Sequence, residues 1–224
     1  MSDQVPVITI DGPSGSGKGT IARLVAERLG WRVLDSGALS RLVGHAAHEA
    51  GVAFHKESLI RDIASNIQVD FDDSRIRLNG ADVTDLIRTE HAGEHASRVA
   101  AMPGVRAALL DWQRDYAKPP GLVADGRDMG TTVFPRAGLK VFLTASPAER
   151  AERRYKQLKE KGLPANLAAL TTEIEKRDER DRSREASPLL VASDAIEIDS
   201  TALEISDVVD RVLREARRVF ATPI

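Results

Sequence analysis

The chain has 224 residues, a formal net charge of −2 and no cysteine. That length allows one sizeable α/β core with a small subdomain, and 42% hydrophobic and 29% charged residues argue against a disordered chain. The charge lacks the basic excess of duplex-binding proteins, and without cysteine the chain has neither disulfides nor thiolate metal sites. Residues 1–4 lack the features of a secretory signal, and no apolar run reaches the ~18 residues of a membrane span, so we expect a cytoplasmic protein without membrane or nucleic-acid partners.

A glycine-rich run separates a predicted strand, residues 5–10, from a helical period over residues 21–29. The run reads Gly12-Pro13-Ser14-Gly15-Ser16-Gly17-Lys18-Gly19-Thr20. Backbone N–H groups of such a turn converge beside the positive end of the helix dipole and bind phosphate, and Lys18 adds a cation that follows the transferred group. The alternative is a flexible turn with a solvated lysine. It accounts less well than a phosphate-binding loop for glycine, lysine and threonine placed between a strand and a helix. Gly19 before Thr20 resembles nucleotide and small-molecule kinases more than GTP switch proteins, and it leaves open whether Thr20 binds Mg²⁺ or only phosphate.

The periodicity changes in the middle of the chain. After a predicted strand at residues 32–34 and a helix at 38–50, apolar and polar residues alternate on both sides of Asn79-Gly80. Alternation around Asn-Gly is typical of a β-hairpin. We therefore predict about three short antiparallel strands within residues 66–88, as an insert in a parallel core.

The second half returns to strands that alternate with helices. Strands are predicted at residues 122–124, 141–143 and 195–198, and helices at 105–116, 147–162, 168–184 and 205–220. Ser146, Pro147 and Glu149 form a predicted capping box, in which serine caps the helix and glutamate reaches back. Five strands alternating with helices indicate an α/β fold with a parallel, doubly wound sheet.

Polar clusters follow the predicted strands, at the sheet edge where ligands of such folds bind. Asp35-Ser36-Gly37 follows the second strand, with Arg41 one turn further, and Asp125-Gly126-Arg127-Asp128 follows the third. Residues 177–184 alternate in charge, which by itself is typical of a solvated helix face. We predict that Arg41, Arg127 and Arg184 hold the reacting phosphates, because guanidinium groups match phosphoryl oxygens.

Together these segments resemble the bacterial cytidylate (CMP) kinases, a family of P-loop nucleoside monophosphate kinases. The resemblance covers nearly the whole chain in order. Its most specific pieces are Ala124-Asp125-Gly126-Arg127-Asp128-Met129-Gly130-Thr131 and Arg177-Asp178-Glu179-Arg180-Asp181-Arg182. It implies phosphoryl transfer from ATP to CMP or dCMP, giving ADP with CDP or dCDP. Most members carry an aromatic residue before Arg41, where this chain has Ser40; the change affects base stacking or pocket rigidity rather than the phosphate contacts.

The family's roles carry over to matching positions. Residues 12–20 would hold the ATP phosphates, and Mg²⁺ would be held by those phosphates and by water, with Thr20 as a candidate ligand. The catalytic residues would be Lys18, Arg41, Arg127 and Arg184. The CMP-binding residues would be Ser36, Arg41, Ser97, Arg106, Arg127, Asp128, Arg177, Asp181 and Arg184. Of these, Ser97, Arg106 and Asp128 would read the cytosine edge, because a carboxylate accepts a hydrogen bond from the amino group that uracil lacks.

The resemblance also implies a P-loop kinase fold: a five-stranded parallel sheet flanked by helices, a small antiparallel β insert and a helical lid. We divide one kinase domain, residues 1–224, into three regions. The core covers residues 1–35, 120–150 and 190–224, the monophosphate-binding region covers 36–119 with its insert at about 66–88, and the lid covers 151–189. We expect a monomer.

Two other functions stay open from the residues. One is another P-loop kinase, acting on UMP, AMP or a different small molecule. The other is a regulatory NTP-hydrolysing switch or a nucleic-acid-associated ATPase. Such proteins need a strand that ends in paired acidic residues, whereas here Asp125 is followed by Gly126-Arg127.

Overall fold

The computed structural model describes residues 5–72, 75–160, 162–184 and 187–220. The chain forms two compact units: Met1–Leu34 with Tyr116–Ile224, called here the core unit, and Asp35–Asp115, called the inserted unit. In chain order the elements are β1 (Val7–Asp11), α1 (Lys18–Leu29), β2 (Arg32–Asp35), α2 (Ser36–Glu49), α3 (Glu57–Asn66), β3 (Val69–Asp72), β4 (Arg75–Leu78), β5 (Ala81–Asp82), α4 (Glu90–Val99), α5 (Pro103–Asp115), β6 (Leu122–Gly126), β7 (Leu139–Thr144), α6 (Pro147–Glu160), α7 (Leu167–Arg182), β8 (Ile196–Asp199) and α8 (Ile205–Phe220).

A five-stranded parallel sheet organises the core unit, in the strand order β2-β6-β1-β7-β8. Every residue of β1 and of β6 is buried, as expected for strands at the centre of such a sheet. Their register pairs Val7 with Leu122 and Asp11 with Gly126, so both strands end at the same edge. Helices α1 and α8 pack together and bury their apolar stripes in the sheet's core. The prediction of this sheet is confirmed, although β1 starts at Val7 and extends to Asp11.

The inserted unit combines helices with a three-stranded antiparallel sheet of order β3-β4-β5. Asn79 and Gly80 form the turn between β4 and β5 with φ angles of 51° and 86°, which are left-handed values that these two residue types tolerate best. The Asn79 amide donates to the Gln68 carbonyl (2.8 Å), and the Gln68 amide donates to Asn79 Oδ1 (3.0 Å). The predicted antiparallel insert is thereby confirmed.

Three local features differ from the sequence predictions. Helices α3 and α4 were not predicted; α4 has few large apolar residues, whereas α3 carries Leu59, Ile60 and Ile63 at helical spacing and was missed. The capping box at the start of α6 is half formed. Ser146 Oγ accepts from the Glu149 amide (3.2 Å), but the Ser146 amide donates to Thr201 Oγ1 (3.0 Å). The Glu149 carboxylate pairs with Arg153 instead of reaching back (2.9 Å).

We searched the described part of the chain for helices that could cross a membrane, and none has the required length and apolar character.

Candidate active site

The glycine-rich run forms the connection between the buried strand β1 and helix α1. Gly15 and Gly17 have φ angles of +78° and +89°, a region in which a side chain is strained. At Gly12 the backbone passes so close to β7 that a Cβ atom would lie 2.0 Å from the Leu143 carbonyl oxygen. The glycines therefore permit the tight path of the loop from β1 to α1. The first amides of α1 have no partner within the helix.

Ser16 is a residue of this loop. Ser16 is buried, and within the described residues its Oγ has no hydrogen-bond partner. A buried hydroxyl without a partner is costly unless a ligand supplies one. Beside the N-terminus of a helix, the matching ligand is an anion such as phosphate.

Lys18 lies on the first turn of α1 with a side chain only 6% exposed. Its Nζ donates to the Pro13 carbonyl oxygen at 3.0 Å, so the ammonium group is held against the loop. Burial lowers its pKa to about 7, and the Arg127 charge adds to this shift while Asp125 opposes it. An anion bound at the loop would favour the charged form and reverse the shift.

Asp11, at the end of β1, is a residue that the sequence reasoning did not single out. Its two carboxylate oxygens accept from the amides of Met129 (2.8 Å) and Gly130 (2.7 Å), in the turn that follows β6. Burial raises its pKa to about 6, against the effect of those two hydrogen bonds. The signal available in the sequence was an acidic residue closing an otherwise uncharged buried strand.

Arginines from two parts of the core unit meet at Asp181. The Arg127 Nε donates to Asp181 Oδ2 at 2.8 Å, and Arg184 pairs with the other oxygen of the same carboxylate. Burial favours the protonated form of Asp181, but the two guanidinium groups outweigh it and hold the pKa of Asp181 below its usual value. Arg127 follows β6 and Asp181 ends α7, so the fold brings together residues that the sequence placed 54 positions apart.

The remaining acidic residues near the loop are Asp125, within the last two residues of β6, and Asp128, just after it. Asp128 is buried, and Asp125 places its Oδ2 3.1 Å from where a Cβ of Gly19 would lie. This contact gives a physical reason for the glycine between Lys18 and Thr20, because any larger residue would crowd the carboxylate.

Of the other predicted site residues, Arg177 lies on α7 in the core unit, and the rest lie in the inserted unit. Ser36 is the first residue of α2, whose N-cap Asp35 accepts from the Ala38 amide at 2.8 Å. On the same helix, Arg41 donates to the Ile87 carbonyl (3.1 Å). Ser40 turns its hydroxyl back onto the Ser36 carbonyl at 3.1 Å.

Two further helices of the inserted unit carry the last predicted residues. Ser97 is buried on α4. Arg106 on α5 donates to the Ala100 carbonyl at 3.3 Å. The structure therefore places Ser36 with Arg41 on one helix, and Ser97 and Arg106 on two others.

No group of three or more histidine, aspartate or glutamate side chains within the described ranges is arranged to hold a metal ion. The oxygen atoms beside the loop nevertheless suit Mg²⁺, which prefers carboxylate, phosphate and water ligands. Asp125 lies next to the start of α1, and Thr20 is exposed on its first turn. These donors fit a cation that is carried mainly by nucleotide phosphates.

The fold and the loop define the class of this protein. A glycine-rich turn with a buried lysine follows the central strand of a parallel sheet, and arginines gather beyond the neighbouring strand; this is the arrangement of a P-loop kinase. A solved structure described as an uncharacterized protein from Eubacterium ventriosum has a TM-score of 0.52 at 12% identity. The match covers 96% of this chain and 99% of that one, and it shows the fold alone.

Comparison of sequences then gives the family. The cytidylate kinase family matches residues 8–218. A cytidylate kinase of Azotobacter vinelandii is 57% identical over 221 residues, or 96% of each chain. One of Pseudomonas aeruginosa is 54% identical over 224 residues, covering 97% of this chain and 98% of the relative. The chain belongs to the cytidylate kinase family, as its motifs indicated.

Proposed function

We propose that this protein transfers the γ-phosphoryl group of ATP to CMP or dCMP, giving ADP with CDP or dCDP. The observation that carries the proposal is the match to cytidylate kinases over nearly the whole chain, with identities of 54–57% to the relatives above. A phosphate-binding loop by itself would fit many phosphotransferases.

The donor nucleotide binds at the glycine-rich loop. The backbone amides of residues 14–20 and the buried Ser16 hydroxyl contact its phosphates, and the Lys18 ammonium follows the γ-phosphoryl group as its charge redistributes. Mg²⁺ is held mainly by phosphate oxygens and water, with Asp125 and Thr20 as the chain's own oxygen donors. When bound, the ion neutralises phosphate charge.

The acceptor phosphate is held by arginines. Arg41, Arg127 and Arg184 fix its oxygens, and Ser36 adds a hydroxyl donor at the start of α2. An oxygen of the CMP phosphate forms a bond to the γ-phosphorus while the bond to the β–γ bridging oxygen breaks, and ADP leaves. No general base is needed, because a phosphate monoester with a second pKa of about 6 is largely ionised at neutral pH.

Asp181 serves two roles in this proposal. It is predicted, with Arg177, to contact the sugar of CMP, and it pairs with Arg127 and Arg184 in the structure. The ion pairs keep the two guanidinium groups close together before the nucleotides bind. The predicted lid, residues 151–189, would exclude water, which competes as an acceptor.

Base selection rests on Ser97, Arg106 and Asp128. Cytosine offers an amino donor beside two acceptors, so a carboxylate accepts from the base while arginine and serine donate to it. Uracil places an oxygen where the amino group was and would leave Asp128 unmatched. A buried unmatched polar group costs about 1–3 kcal/mol, which corresponds to roughly a 5- to 100-fold preference.

The test is an assay of ADP release with CMP, dCMP, UMP and AMP as acceptors. We expect CMP and dCMP to be the best substrates, and Asp128→Ala to reduce the CMP-over-UMP ratio of kcat/KM by roughly 5- to 100-fold. The matched control is Asp210→Ala, an exposed position on α8, which should leave the ratio unchanged. UMP or AMP exceeding CMP would favour another nucleotide kinase, and ATP hydrolysis without transfer would favour a switch protein.

A further inference from the structure

Arg150 on α6 is a buried charge for which the mechanism above has no use. Its side chain is 2% exposed, among the least exposed large side chains in the described ranges. Its Nε donates to the Ala145 carbonyl (2.9 Å), and its Nη1 donates to the Ser14 carbonyl (2.9 Å). The fork also binds both oxygens of Asp178, at 3.0 and 2.5 Å. Arg150 therefore contacts the glycine-rich loop through a backbone carbonyl.

The contact with Ser14 determines where the following amide points. In a planar trans peptide the carbonyl and the N–H lie on opposite sides of the chain. Because Arg150 holds the Ser14 carbonyl toward α6, the amide of Gly15 is directed the other way, into the loop. The aliphatic part of the Arg150 side chain also packs against Gly15. A Cβ atom on Gly15 would lie 3.3 Å from Arg150 Cβ.

A second arginine of α6 repeats the arrangement two peptides further along. Arg153 donates to the carbonyl of Ser200 at 2.6 Å and to its Oγ at 3.2 Å. That hydroxyl lies 3.4 Å from the Ser16 carbonyl, and the Arg153 Nη1 lies 3.5 Å from the same oxygen. Carbonyl groups of two separate loop peptides therefore face α6. Two such contacts indicate that α6 supports the loop and that the Arg150 contact is not an isolated one.

Asp178 connects this support to the acceptor side. It lies on α7, next to Arg177 and one turn before Asp181, and it is as deeply buried as Arg150. Buried ion pairs contribute little net stability compared with an apolar pair of similar size. The four hydrogen bonds of Arg150 are better explained by the fixed geometry that they impose on the loop and on α7.

We propose that Arg150 is a positioning residue that fixes the Ser14–Gly15 peptide for binding the donor phosphates. Through Asp178 it also ties the loop to the helix that carries the acceptor arginine cluster. The link to the acceptor rests on the proposed function, whereas the effect on the loop concerns the donor nucleotide alone.

The experiment measures the dissociation constant of ADP by calorimetry, together with thermal unfolding. Arg150→Lys keeps a charge opposite Asp178 but cannot serve all of the arginine's acceptors. The double variant Arg150→Met/Asp178→Leu removes both buried charges and replaces them with an apolar pair. Arg218→Met is the matched control, because Arg218 is an exposed arginine paired with one carboxylate, Glu215.

Both Arg150 variants should bind ADP about 10- to 100-fold more weakly than the unaltered protein, as expected for a misplaced binding group. The double variant should still bind ADP weakly. It should unfold at a higher temperature than a further variant, Arg150→Met alone, which leaves the buried Asp178 carboxylate without its arginine. Arg218→Met should bind ADP normally. If the double variant or Arg150→Lys binds ADP within about twofold of the unaltered protein, the residue is structural only and the proposal is wrong. Because no acceptor is present, this result does not depend on whether CMP is the substrate.

Discussion

Lys18 is only partly protonated in the free protein at neutral pH. Burial lowers its pKa to about 7, and Arg127 contributes to the same shift. In the proposed complex, nucleotide phosphates supply the missing negative charge and raise the pKa again. Binding therefore couples to protonation of this one side chain.

We predict that ADP affinity falls as the pH rises above about 7. In that range free Lys18 loses its proton while bound Lys18 keeps it, so binding must take up a proton and weakens by up to about tenfold per pH unit. Lys18→Arg should remove this dependence between pH 7 and 8.5, because arginine stays charged. Calorimetry of ADP binding at several pH values measures the effect. Parallel curves for the two proteins would show that another group titrates.

At this scale the sequence predicted the residues that carry a local motif. Lys18 and Arg127 were recognisable because they sit in glycine-rich turns directly after strands. Asp11 and Arg150 were not, since their contacts come from chain segments 118 and 136 residues away. Only the folded chain shows that Arg150 supports the loop and that Asp11 holds the turn after β6.

Among the elements, the β-hairpin was easier to predict from the sequence than helix α4. The hairpin was predictable because Asn79-Gly80 matches its turn. Helix α4 was missed because its buried face consists mainly of alanine, glycine, serine and histidine, with Val99 as the aliphatic exception. Its packing against α2 depends on a histidine cluster, His48, His91 and His95.

That cluster places three titratable rings side by side. His95 is buried on α4 with its ring centroid 4.0 Å from His91 and 5.4 Å from His48. Burial lowers the pKa of His95, the two histidines and Arg98 add to the shift, and Glu94 opposes it. In the unfolded chain this histidine has a pKa near 6.5. It therefore binds a proton more readily there than in the folded protein.

We expect the contribution of His95 to stability to fall as the pH drops below about 6.5, because at this residue the unfolded state binds more protons. The raised pKa of Asp11 acts in the opposite direction, but it does so in both proteins. His95→Gln should therefore remove a loss of unfolding free energy, relative to the unaltered protein, as the pH falls from 6.5 to 5. Urea denaturation across this range is the measurement. His55→Gln is the control, since His55 is exposed and should leave the slope intact. An unchanged slope in His95→Gln would contradict the assignment.

For the molecule as a whole, the sequence predicted the number of parallel strands and the antiparallel insert but not the strand order. Alternation of strands and helices indicates a parallel sheet, whereas the neighbours of each strand depend on where every crossover returns. The segment Asp35–Asp115 forms a unit with its own buried clusters. Position after the predicted strands and guanidinium chemistry indicated three of the proposed CMP-binding residues, Arg41, Arg127 and Arg184. Ser97 and Arg106 lie on helices without such a signal, and only the family resemblance indicated them.

The whole chain should be a monomer in solution. Its exposed large apolar side chains are distributed over several elements of both units, among them Leu59, Leu86, Leu190 and Ile205. A stable interface usually buries about 1,600 Å² with an apolar centre. Sedimentation velocity should therefore give a single species near 24.4 kDa, with and without ADP. A species of twice that mass would overturn this prediction.

The central position of β1 has a consequence for how the chain reaches its fold. Val7 pairs with Leu122 on one side, and Ile8 pairs with Leu139 on the other. A growing chain emerging from the ribosome therefore presents β1 long before either partner strand exists, and contacts so distant in sequence are slow to form. The segment Asp35–Asp115 is continuous, so its contacting residues are closer together in sequence and it can collapse first. The glycine-rich loop that follows β1 therefore depends on strands that are synthesised only after the inserted unit.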